Sequence, residues 1–320
     1  MKAATYIENG PPSVLKYVDL PDPEIGPTDV LIRVEVISIE GGDVLGRRLV
    51  PVDGDRRIPG YSGAGTVIAI GHDVTAAKVG QSVAAFNWSG SHAELWSVPE
   101  VYVFPTPDGL TSAVAATVPV AFGTADDALF EFGNLHAGDT VLVRGATGGV
   151  GIAAVQLARA AGATVIATAS SDSHASRLKE LGAHHVINYT QLSVGAATLA
   201  ITDGKGVDLL VELAGGTQFD EVIDAVRYRG RITIVGAASG HPRSISFQDI
   251  GRKLLTVAGV SLGQEMHQPR IHNMIRQHLN HARDGILHMP IARTFPLSDA
   301  TAAHHYVETD HPFGRVLMLP

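Results

Sequence analysis

The segment Thr140-Val141-Leu142-Val143-Arg144-Gly145-Ala146-Thr147-Gly148-Gly149-Val150-Gly151 decides the fold of this 320-residue chain. A strand of buried type runs directly into a glycine turn, and an alanine-rich helix follows over residues 150–161. This context matters more than the glycine spacing, because it presents helix N–H groups and the positive end of the helix dipole to a diphosphate. Glycines also let the backbone approach such a ligand closely. The alternative is a glycine-rich turn that holds no ligand.

Beyond this turn, strand-like and helix-like segments alternate. The strand-like segments are continuous runs of Val, Ile and Leu, which are typical of strands buried on both faces of a sheet. They cover residues 164–168, 185–188, 207–211 and 231–235, with helices between them. The alternation predicts an α/β fold with a doubly wound parallel sheet, in which nucleotides bind at the carboxyl ends of the strands.

The regions on either side of this sheet follow another pattern. Short strands between Gly, Pro and Asp turns precede it, for example at 30–36 and 65–70, and predict a small β-rich domain. Residues 110–129 read as helical, with interruptions at Pro119 and Gly123. The C-terminal segment, with a helix over 268–282 and a strand over 314–319, is too short to fold alone. The predicted domains are therefore 1–120 with 263–320, which is discontinuous, and 121–262, which is inserted into it.

Composition narrows the classes of function. The net charge of −8 argues against nucleic acid as a partner, because phosphate backbones need clustered Lys and Arg. The chain has no cysteine, which excludes disulfides, cysteine-ligated zinc and thiol catalysis. We found neither an apolar signal core nor an uninterrupted apolar run of the roughly 18 residues that a membrane span needs. We therefore expect a cytoplasmic, soluble protein without a membrane partner.

The residues after the second strand of the sheet predict which dinucleotide binds. NAD-preferring sites carry Asp or Glu at that point to hold the ribose hydroxyls, and here Ala169 occupies the position. Ser170, Ser171 and His174 could bind a 2′-phosphate instead, which favours NADP(H). The alternative is that these residues form a helix cap and a solvated helix face. Asp172 is a complication, since its charge would lie near the same phosphate.

With these residues in hand, the chain resembles the medium-chain dehydrogenase/reductase superfamily, in its zinc-free quinone oxidoreductase (zeta-crystallin-like) branch. The resemblance spans nearly the whole chain, and the glycine turn is its most specific part. The other landmarks are Pro59-Gly60-Tyr61-Ser62-Gly63-Ala64-Gly65, Gly80-Gln81-Ser82-Val83, Pro119-Val120-Ala121-Phe122-Gly123-Thr124-Ala125, Leu181-Gly182-Ala183, Val186-Ile187-Asn188-Tyr189, Val235-Gly236-Ala237 and Phe313-Gly314-Arg315-Val316.

The resemblance implies a Rossmann domain inserted into a GroES-like catalytic domain, with NADPH as the cofactor. It also implies a set of cofactor-binding residues. These are Thr147, Gly148, Gly149 and Val150 at the diphosphate, Ser170, Ser171 and His174 at the 2′-phosphate, Tyr189 nearby, Ala214, Val235, Gly236 and Ala237 at the nicotinamide ribose, Ser261 and Leu262 at the carboxamide, and Thr124 near the nicotinamide. In some relatives a lysine replaces His174. Relatives commonly pair as homodimers through the strand that corresponds to residues 256–262.

The zinc-dependent relatives carry a Gly-His-Glu motif where this chain has Gly60-Tyr61-Ser62, as well as cysteine ligands that are missing here. A catalytic zinc of that kind is therefore not expected. The chain does have 15 histidines, including the adjacent pairs His184-His185 and His304-His305, and His278 with His281. No carboxylate joins them at a ligand-like spacing, so we interpret them as surface or satisfied histidines and predict no metal site.

One segment departs from the family pattern. Typical quinone oxidoreductases have Asn-Pro-Val-Asp-Thr-Tyr where this chain has Glu40-Gly41-Gly42-Asp43-Val44-Leu45, and that segment flanks nicotinamide and substrate. Glu40 is either a loop carboxylate facing solvent or part of an altered substrate pocket. The catalytic residues are not identified by sequence. The candidates for the substrate cleft are Glu40, Leu45, Tyr61, Ser62, Trp88 and Thr124, with Asn87 beside them.

The resemblance implies hydride transfer from NADPH to a quinone or an α,β-unsaturated carbonyl, with the small-molecule acceptor as the partner. The cofactor carries the chemistry, and the protein positions the acceptor and stabilises the charge that develops on its oxygen. Three alternatives stay open. They are an enoyl or alkenal reductase of a biosynthetic pathway, an NADPH-binding protein with little turnover, and, less favoured, a methyltransferase.

Overall fold

The computed structural model describes residues 1–52, 54–241 and 244–320. In the described residues the strands are β1 (Lys2–Thr5), β2 (Lys16–Asp19), β3 (Asp29–Ile39), β4 (Ser62–Ile70), β5 (Ser82–Phe86), β6 (Leu95–Pro99), β7 (Val103–Pro105), β8 (Thr140–Arg144), β9 (Thr164–Ala169), β10 (His185–Asn188), β11 (Val207–Glu212), β12 (Val226–Ile234), β13 (Thr256–Gly259), β14 (Ile291–Pro296) and β15 (Arg315–Leu319). The α-helices are α1 (Gly41–Leu49), α2 (Ser112–Ala115), α3 (Val118–Asp126), α4 (Gly149–Ala160), α5 (Asp172–Glu180), α6 (Val194–Ile201), α7 (Phe219–Asp224), α8 (Phe247–Lys253), α9 (Leu262–Glu265), α10 (Pro269–Arg283) and α11 (Ala300–Asp310).

The chain divides into two compact units. Unit 1 comprises Met1–Gly123 and Gly263–Pro320, and unit 2 comprises Thr124–Leu262. The predicted domains place the first boundary three residues earlier, at 120/121, and the second at the same point.

Unit 2 contains a sheet of six parallel strands in the order β10-β9-β8-β11-β12-β13. A helix connects β8 to β9, β9 to β10 and β10 to β11, so helices cover the sheet, and its central strands β8, β9 and β11 are buried almost throughout. This burial explains the continuous apolar runs of the sequence. The strand order reverses between β8 and β11, and ligands of doubly wound sheets bind at such a reversal, beyond the carboxyl ends of the strands.

Unit 1 is built on a seven-stranded sheet in the order β14-β15-β3-β4-β5-β7, with β6 also paired to β3. Its pairs are antiparallel except for β14 with β15. β15 joins β3 with Val316 opposite Ile39, so segments from the two ends of the chain share one sheet. Ile32, Trp96 and Met318 lie in its core. Together the two units confirm the predicted class, a doubly wound parallel sheet inserted into a β-rich domain.

One of two local expectations was wrong. Gly123 does not interrupt the predicted helix, because it lies inside α3. The interruption at Pro119 is confirmed, because the helical stretch breaks between α2 and α3 and Pro119 is the second residue of α3, where no intrahelical N–H bond is required. A π-helix follows at Asp127–Glu131. The stretch Ser112–Glu131 passes a length and hydropathy test for a membrane span, but 78% of its most apolar window is buried within the protein. Such burial is typical of a core helix.

Candidate active site

The glycine turn links β8 to α4. Gly145 has a φ of +76°, a left-handed conformation that favours glycine, and its N–H donates to Thr168 Oγ1 at 3.1 Å. The first bond inside α4 runs from Ile152 N–H to the carbonyl of Gly148 (2.9 Å). The N–H groups of Gly149, Val150 and Gly151 precede that bond, so they are available to an anion at the helix N-terminus.

Gly151 is required where α4 begins. A Cβ at this position would lie 2.4 Å from the carbonyl oxygen of Gly145 and 2.5 Å from Cα of Ala146, which are both backbone atoms. Gly148 is different, because a Cβ there would meet only the carbonyl oxygen of Gly145 at 3.9 Å. Position 148 therefore has open space in front of the helix N-terminus.

All but one of the predicted cofactor residues follow the carboxyl ends of the parallel strands. Since these strands run in one direction, the residues lie along one edge of the sheet, which we call the carboxyl edge. They are Thr147, Gly148, Gly149 and Val150 after β8, Ser170, Ser171 and His174 after β9, Tyr189 after β10, Ala214 after β11, Val235, Gly236 and Ala237 after β12, and Ser261 and Leu262 after β13. Thr124 is the exception, since it lies in α3 and is only 8% exposed.

A buried ion pair that the sequence analysis missed holds the centre of the carboxyl edge. Arg144, the last residue of β8, donates from Nη1 to Glu212 Oε2 at 2.6 Å and from Nη2 to the carbonyl of Gly215 at 3.2 Å. Glu212 Oε1 accepts the N–H groups of Ala214 (2.8 Å) and Gly215 (2.7 Å). The pair fixes the loop after β11 beside the glycine turn. The available sequence signal is a charged residue at the end of each of two apolar runs, and the structure adds that Glu212 is in register with Arg144.

The region predicted to hold a 2′-phosphate starts where β9 ends. Ala169 is fully buried there, so the acid typical of NAD sites is absent from that position. Ser171 caps α5, because its Oγ accepts the N–H of His174 at 3.3 Å, as the helix-cap interpretation required of at least one of these residues. Asp172 Oδ1 accepts from Asn188 Nδ2 at 3.0 Å, which ties that carboxylate to the end of β10.

The charge of His174 is weaker than the sequence suggested. Partial burial, together with the nearby Arg177, lowers the pKa of its imidazole below the usual 6.5. His174 is therefore mostly neutral near pH 7 in the absence of a ligand. Tyr189 is 42% exposed, and its N–H donates to the carbonyl of Ala169 at 3.0 Å, so its side chain is positioned next to the end of β9.

In unit 1, the segment that departs from the family pattern forms the start of α1. Glu40 is the residue before the helix and is 2% exposed, so the interpretation as a solvent-facing loop carboxylate was wrong. Its carboxylate forms an ion pair with Arg315 of β15 and accepts from Ser38 Oγ at 3.1 Å. Its N–H donates to Asp43 Oδ2 at 2.8 Å, which completes a capping box in which the Glu40 side chain accepts the N–H of Asp43.

Two buried carboxyl groups therefore share one guanidinium. Burial raises the pKa of Glu40, and burial with the neighbouring Glu40 charge raises the pKa of Asp43 to about 8. Arg315 counters both shifts, but one cation neutralises only one of the two anions. The Glu40–Asp43 pair consequently retains one proton at neutral pH.

The other predicted cleft residues differ in accessibility. Trp88 is 51% exposed and packs edge-to-face on Phe86, with ring centroids 5.3 Å apart, while Tyr61 packs on the same ring at 6.0 Å. Leu45 is partly buried in α1. The prediction of Ser62 as a cleft residue was wrong. Ser62 is fully buried and its Oγ donates to the carbonyl of Ala116 at 3.0 Å, so its hydroxyl proton is not available to a substrate.

Asn87 is also held by the protein itself. Its Nδ2 donates to the carbonyl of Ser97 at 3.4 Å, and its Oδ1 accepts the N–H of Trp88 at 2.8 Å. Asn87 therefore positions the Trp88 backbone, and neither end of its amide is an evident substrate contact.

The histidines fall into two classes. His305 is exposed, whereas His304 is fully buried with its Nε2 at 3.0 Å from Nε2 of His92, which is fully buried too. Burial lowers the pKa of His92 to about 3 and that of His304 well below 6.5, so the pair is neutral. Within residues 1–52, 54–241 and 244–320, no three His, Asp or Glu side chains converge as a metal site.

Comparisons with known proteins show the family of the chain. The family "Alcohol dehydrogenase GroES-like domain" matches residues 26–108, and the family "Zinc-binding dehydrogenase" matches residues 149–279. A quinone oxidoreductase of Pseudomonas aeruginosa is 31% identical over 100% of this chain and 99% of its own length. A 2-haloacrylate reductase of Burkholderia sp is 30% identical over 100% and 99%. A mycobacterial protein whose structure was solved with NADPH superimposes with a TM-score of 0.94, at 30% identity and 100% coverage of both chains.

Proposed function

The chain belongs to the medium-chain dehydrogenase/reductase superfamily, in its quinone oxidoreductase branch, and on this premise we propose that it is an NADPH-dependent reductase of quinones or α,β-unsaturated carbonyl compounds. The observation that carries the proposal is the open helix N-terminus at Gly148, Gly149 and Val150, at the point where the strand order reverses. Bound there, NADPH supplies the hydride. The chain's own residues bind its phosphates and stabilise the reduced acceptor.

Preference for NADPH over NADH is part of the proposal. It is supported by the absence of an acid at Ala169 and by the hydroxyl groups of Ser170 and Ser171 at the carboxyl edge. The hydrogen bond from Asn188 directs one oxygen of Asp172 toward β10, which reduces its conflict with a phosphate. The mycobacterial relative solved with NADPH is consistent with this preference.

We further propose that the reaction needs no zinc. The support is the chain's lack of cysteine and the presence of Tyr61 and Ser62 where zinc-dependent relatives have His and Glu. Without a Lewis acid of this kind, hydrogen-bond donors have to stabilise the negative charge on the acceptor oxygen.

The aromatic pair of Phe86 and Trp88 favours a quinone as the acceptor. A half-exposed indole held at its edge by another ring offers a flat apolar face, and planar aromatic molecules stack on such faces. The second candidate, an enoyl or alkenal reductase, is favoured by the similarity to a reductase of 2-haloacrylate, which is a small non-aromatic acid. The third candidate is an NADPH-binding protein with little turnover, which would bind NADPH tightly and show no acceptor-dependent oxidation.

The test compares NADPH and NADH oxidation by the purified protein with a naphthoquinone and with an alkenal. We expect the highest kcat/KM with NADPH and the quinone. Gly148→Ala should raise KM for NADPH at least about 10-fold, because a methyl group enters the open space at the phosphate site. Gly251→Ala is the matched control, since a Cβ there meets nothing within 4 Å. Tight NADPH binding without oxidation by any acceptor would refute the reductase proposal.

We propose that the protein is cytoplasmic and soluble and that it forms a homodimer. The edge strand β13 supports a dimer, because its outer side has no partner strand within the described sheet. Sedimentation of the purified protein tests the oligomeric state, and a monomer at micromolar concentration would contradict the homodimer.

A further inference from the structure

The phenol of Tyr61 lies over the first turn of α1. Its oxygen accepts the N–H of Gly42 at 3.2 Å, and this hydrogen bond is exposed although Glu40 and Asp43 on either side of it are buried. The hydroxyl is thus located at the boundary between a closed polar interior and an accessible surface.

Gly42 makes this position possible. A Cβ on residue 42 would lie 2.7 Å from the Tyr61 hydroxyl oxygen and 2.9 Å from Cε1 of its ring. A valine, which is the residue of the family pattern at this point, could not coexist with Tyr61 in this rotamer. The chain has Leu45 where that pattern has a tyrosine, and Tyr61 places a phenol next to the same turn.

The bond from Gly42 also orients the hydroxyl proton. Because the oxygen already accepts a hydrogen bond, the O–H is left to donate, and no group in the described part of the chain accepts it. Ser62, the neighbouring hydroxyl, is different, because its proton is used by Ala116. Tyr61 is therefore the hydroxyl of this motif that can donate to a ligand.

The surroundings keep Tyr61 protonated. Burial raises the pKa of the phenol well above 10, and the carboxyl groups of Glu40 and Asp43 on α1 raise it further. Arg315 on β15 and the N–H of Gly42 act in the opposite direction and are outweighed. A tyrosine in this state donates a hydrogen bond over the whole physiological pH range.

We propose that the Tyr61 hydroxyl is a catalytic residue that donates a hydrogen bond to the carbonyl oxygen of the acceptor during reduction. The inference rests on the proposed function and names the donor that replaces a Lewis acid. Hydride from NADPH and its electron pair enter the acceptor, the carbonyl π electrons move onto oxygen, and Tyr61 stabilises that oxygen. The proton that completes the product comes from water, and Tyr61 itself remains neutral.

Tyr61→Phe is the first test, in the full-length protein with NADPH and a naphthoquinone. Loss of one such donor should lower kcat about 10- to 100-fold with little change in KM for NADPH. Tyr102→Phe is the matched control, because Tyr102 packs on Phe86 at 5.6 Å as Tyr61 does. It should retain kcat. Thermal unfolding of both variants should match the wild type, which separates a catalytic loss from a folding defect.

Gly42→Ala is the second variant, and it keeps the phenol but displaces it. It should lower kcat in the same direction as Tyr61→Phe, and the double variant should be no worse than Tyr61→Phe alone. The wild-type kcat should show no alkaline decline below about pH 10, since the phenol stays protonated there.

The outcomes separate the two proposals. If the wild type reduces the quinone and Tyr61→Phe retains its kcat, Tyr61 is not the donor, while the reductase proposal stands. If the wild type binds NADPH but reduces no carbonyl acceptor, the proposed function is wrong and the role of Tyr61 falls with it. A loss confined to KM for the quinone would make Tyr61 a binding group and would also overturn a catalytic role.

Discussion

Each unit buries an arginine against a glutamate at the end of a central strand, but the two clusters are balanced differently. In unit 2, Arg144 and Glu212 neutralise each other, and both Glu212 oxygens are hydrogen-bonded. In unit 1, Arg315 faces two carboxyl groups, Glu40 and Asp43. The first cluster is a closed pair, whereas the second holds a proton that can be lost or gained.

The difference separates the proposed cofactor side of the molecule from its proposed acceptor side. The closed pair lies beside the glycine turn and positions loops that any dinucleotide cofactor would need. The proton-holding cluster lies under Tyr61, in the segment that departs from the family pattern. In the proposed function, the closed pair therefore serves the cofactor side, and Glu40 adds a carboxyl group on the acceptor side.

The largest expected effect comes from opening the closed pair. Arg144→Met leaves Glu212 buried without a counter-ion, and removing one partner of a buried pair typically costs about 3–5 kcal/mol of unfolding free energy. Urea unfolding of the variant and the wild type measures this. NADPH binding should weaken as well, because the loop at Ala214 and Gly215 loses its anchor.

The double variant Arg144→Met, Glu212→Gln is the control. The neutral glutamine can still accept the N–H groups of Ala214 and Gly215 without a buried charge, so it should recover part of the lost stability. A single variant as stable as the wild type would mean that Arg144 and Glu212 do not neutralise each other in the folded protein.

Glu40→Gln should lower the free energy of unfolding far less than Arg144→Met, and this contrast tests the difference between the two clusters. Once the Glu40 charge is gone, Asp43 can ionise and pair with Arg315, so the cluster stays neutral. The pH dependence should change instead. Asp43 holds a proton in the folded protein up to a pKa of about 8, and its usual value is 3.8, so wild-type stability falls as pH rises toward 8.

For one such proton the loss between pH 6.5 and 8 is roughly 1–2 kcal/mol, and Glu40→Gln should reduce it, because the Glu40 charge is one cause of the raised pKa of Asp43 while burial stays in place. Unfolding at the two pH values, compared between variant and wild type, isolates this effect. Equal slopes in the two proteins would contradict the assignment of the shared proton. A stability loss as large as that of Arg144→Met would remove the contrast between the clusters.

A second buried pair in unit 1, His92 with His304, gives stability the opposite pH dependence. His92 and His304 are neutral in the folded protein because burial lowers the pKa of each, and they gain protons on unfolding. Stability due to them is therefore present above about pH 6.5 and is lost as pH falls below it. Replacing one, as in His304→Gln, should reduce the loss between pH 6.5 and 5.5 by about 1 kcal/mol.

His305→Gln is the matched control, since His305 is the exposed neighbour in the same helix. Its acid unfolding should follow the wild type. If both variants had the same acid profile, the His92–His304 pair would not be the source of acid lability.

The sequence predicted unit 2 well because its signals are local. The strand–glycine turn–helix segment, the buried apolar runs and their alternation with helices each report on adjacent residues, and the parallel strands bring the predicted cofactor residues to one edge. The Arg144–Glu212 pair escaped prediction, because it joins strands 68 residues apart in the chain. Only the register of β8 with β11 brings the two residues together.

Unit 1 was predicted less completely for the same physical reason. Glu40 could be read either as a surface or as a pocket residue, and its burial depends on Arg315, which arrives from the far end of the chain in β15. The role of Gly42 could not be predicted either, because the space beside it is filled by Tyr61, which immediately precedes β4. Long-range partners therefore decide what these residues do.

The smallest effect belongs to the cofactor specificity of unit 2. His174 is mostly neutral at pH 8, because its pKa lies below 6.5, so wild-type affinity for NADPH should improve as pH falls toward 6. His174→Lys supplies a permanent charge and should lower KM for NADPH about 2- to 5-fold at pH 8, the gain expected of a partly exposed ion pair, with little change for NADH. His185→Lys adds the same charge at the amino end of β10, away from the carboxyl edge, and should leave KM for both cofactors unchanged. Because exposed charges are screened, the gain from His174→Lys should shrink in high salt. An equal gain for NADH would mean that residue 174 does not face a 2′-phosphate, and the specificity proposed for this edge would then lack its charged contact.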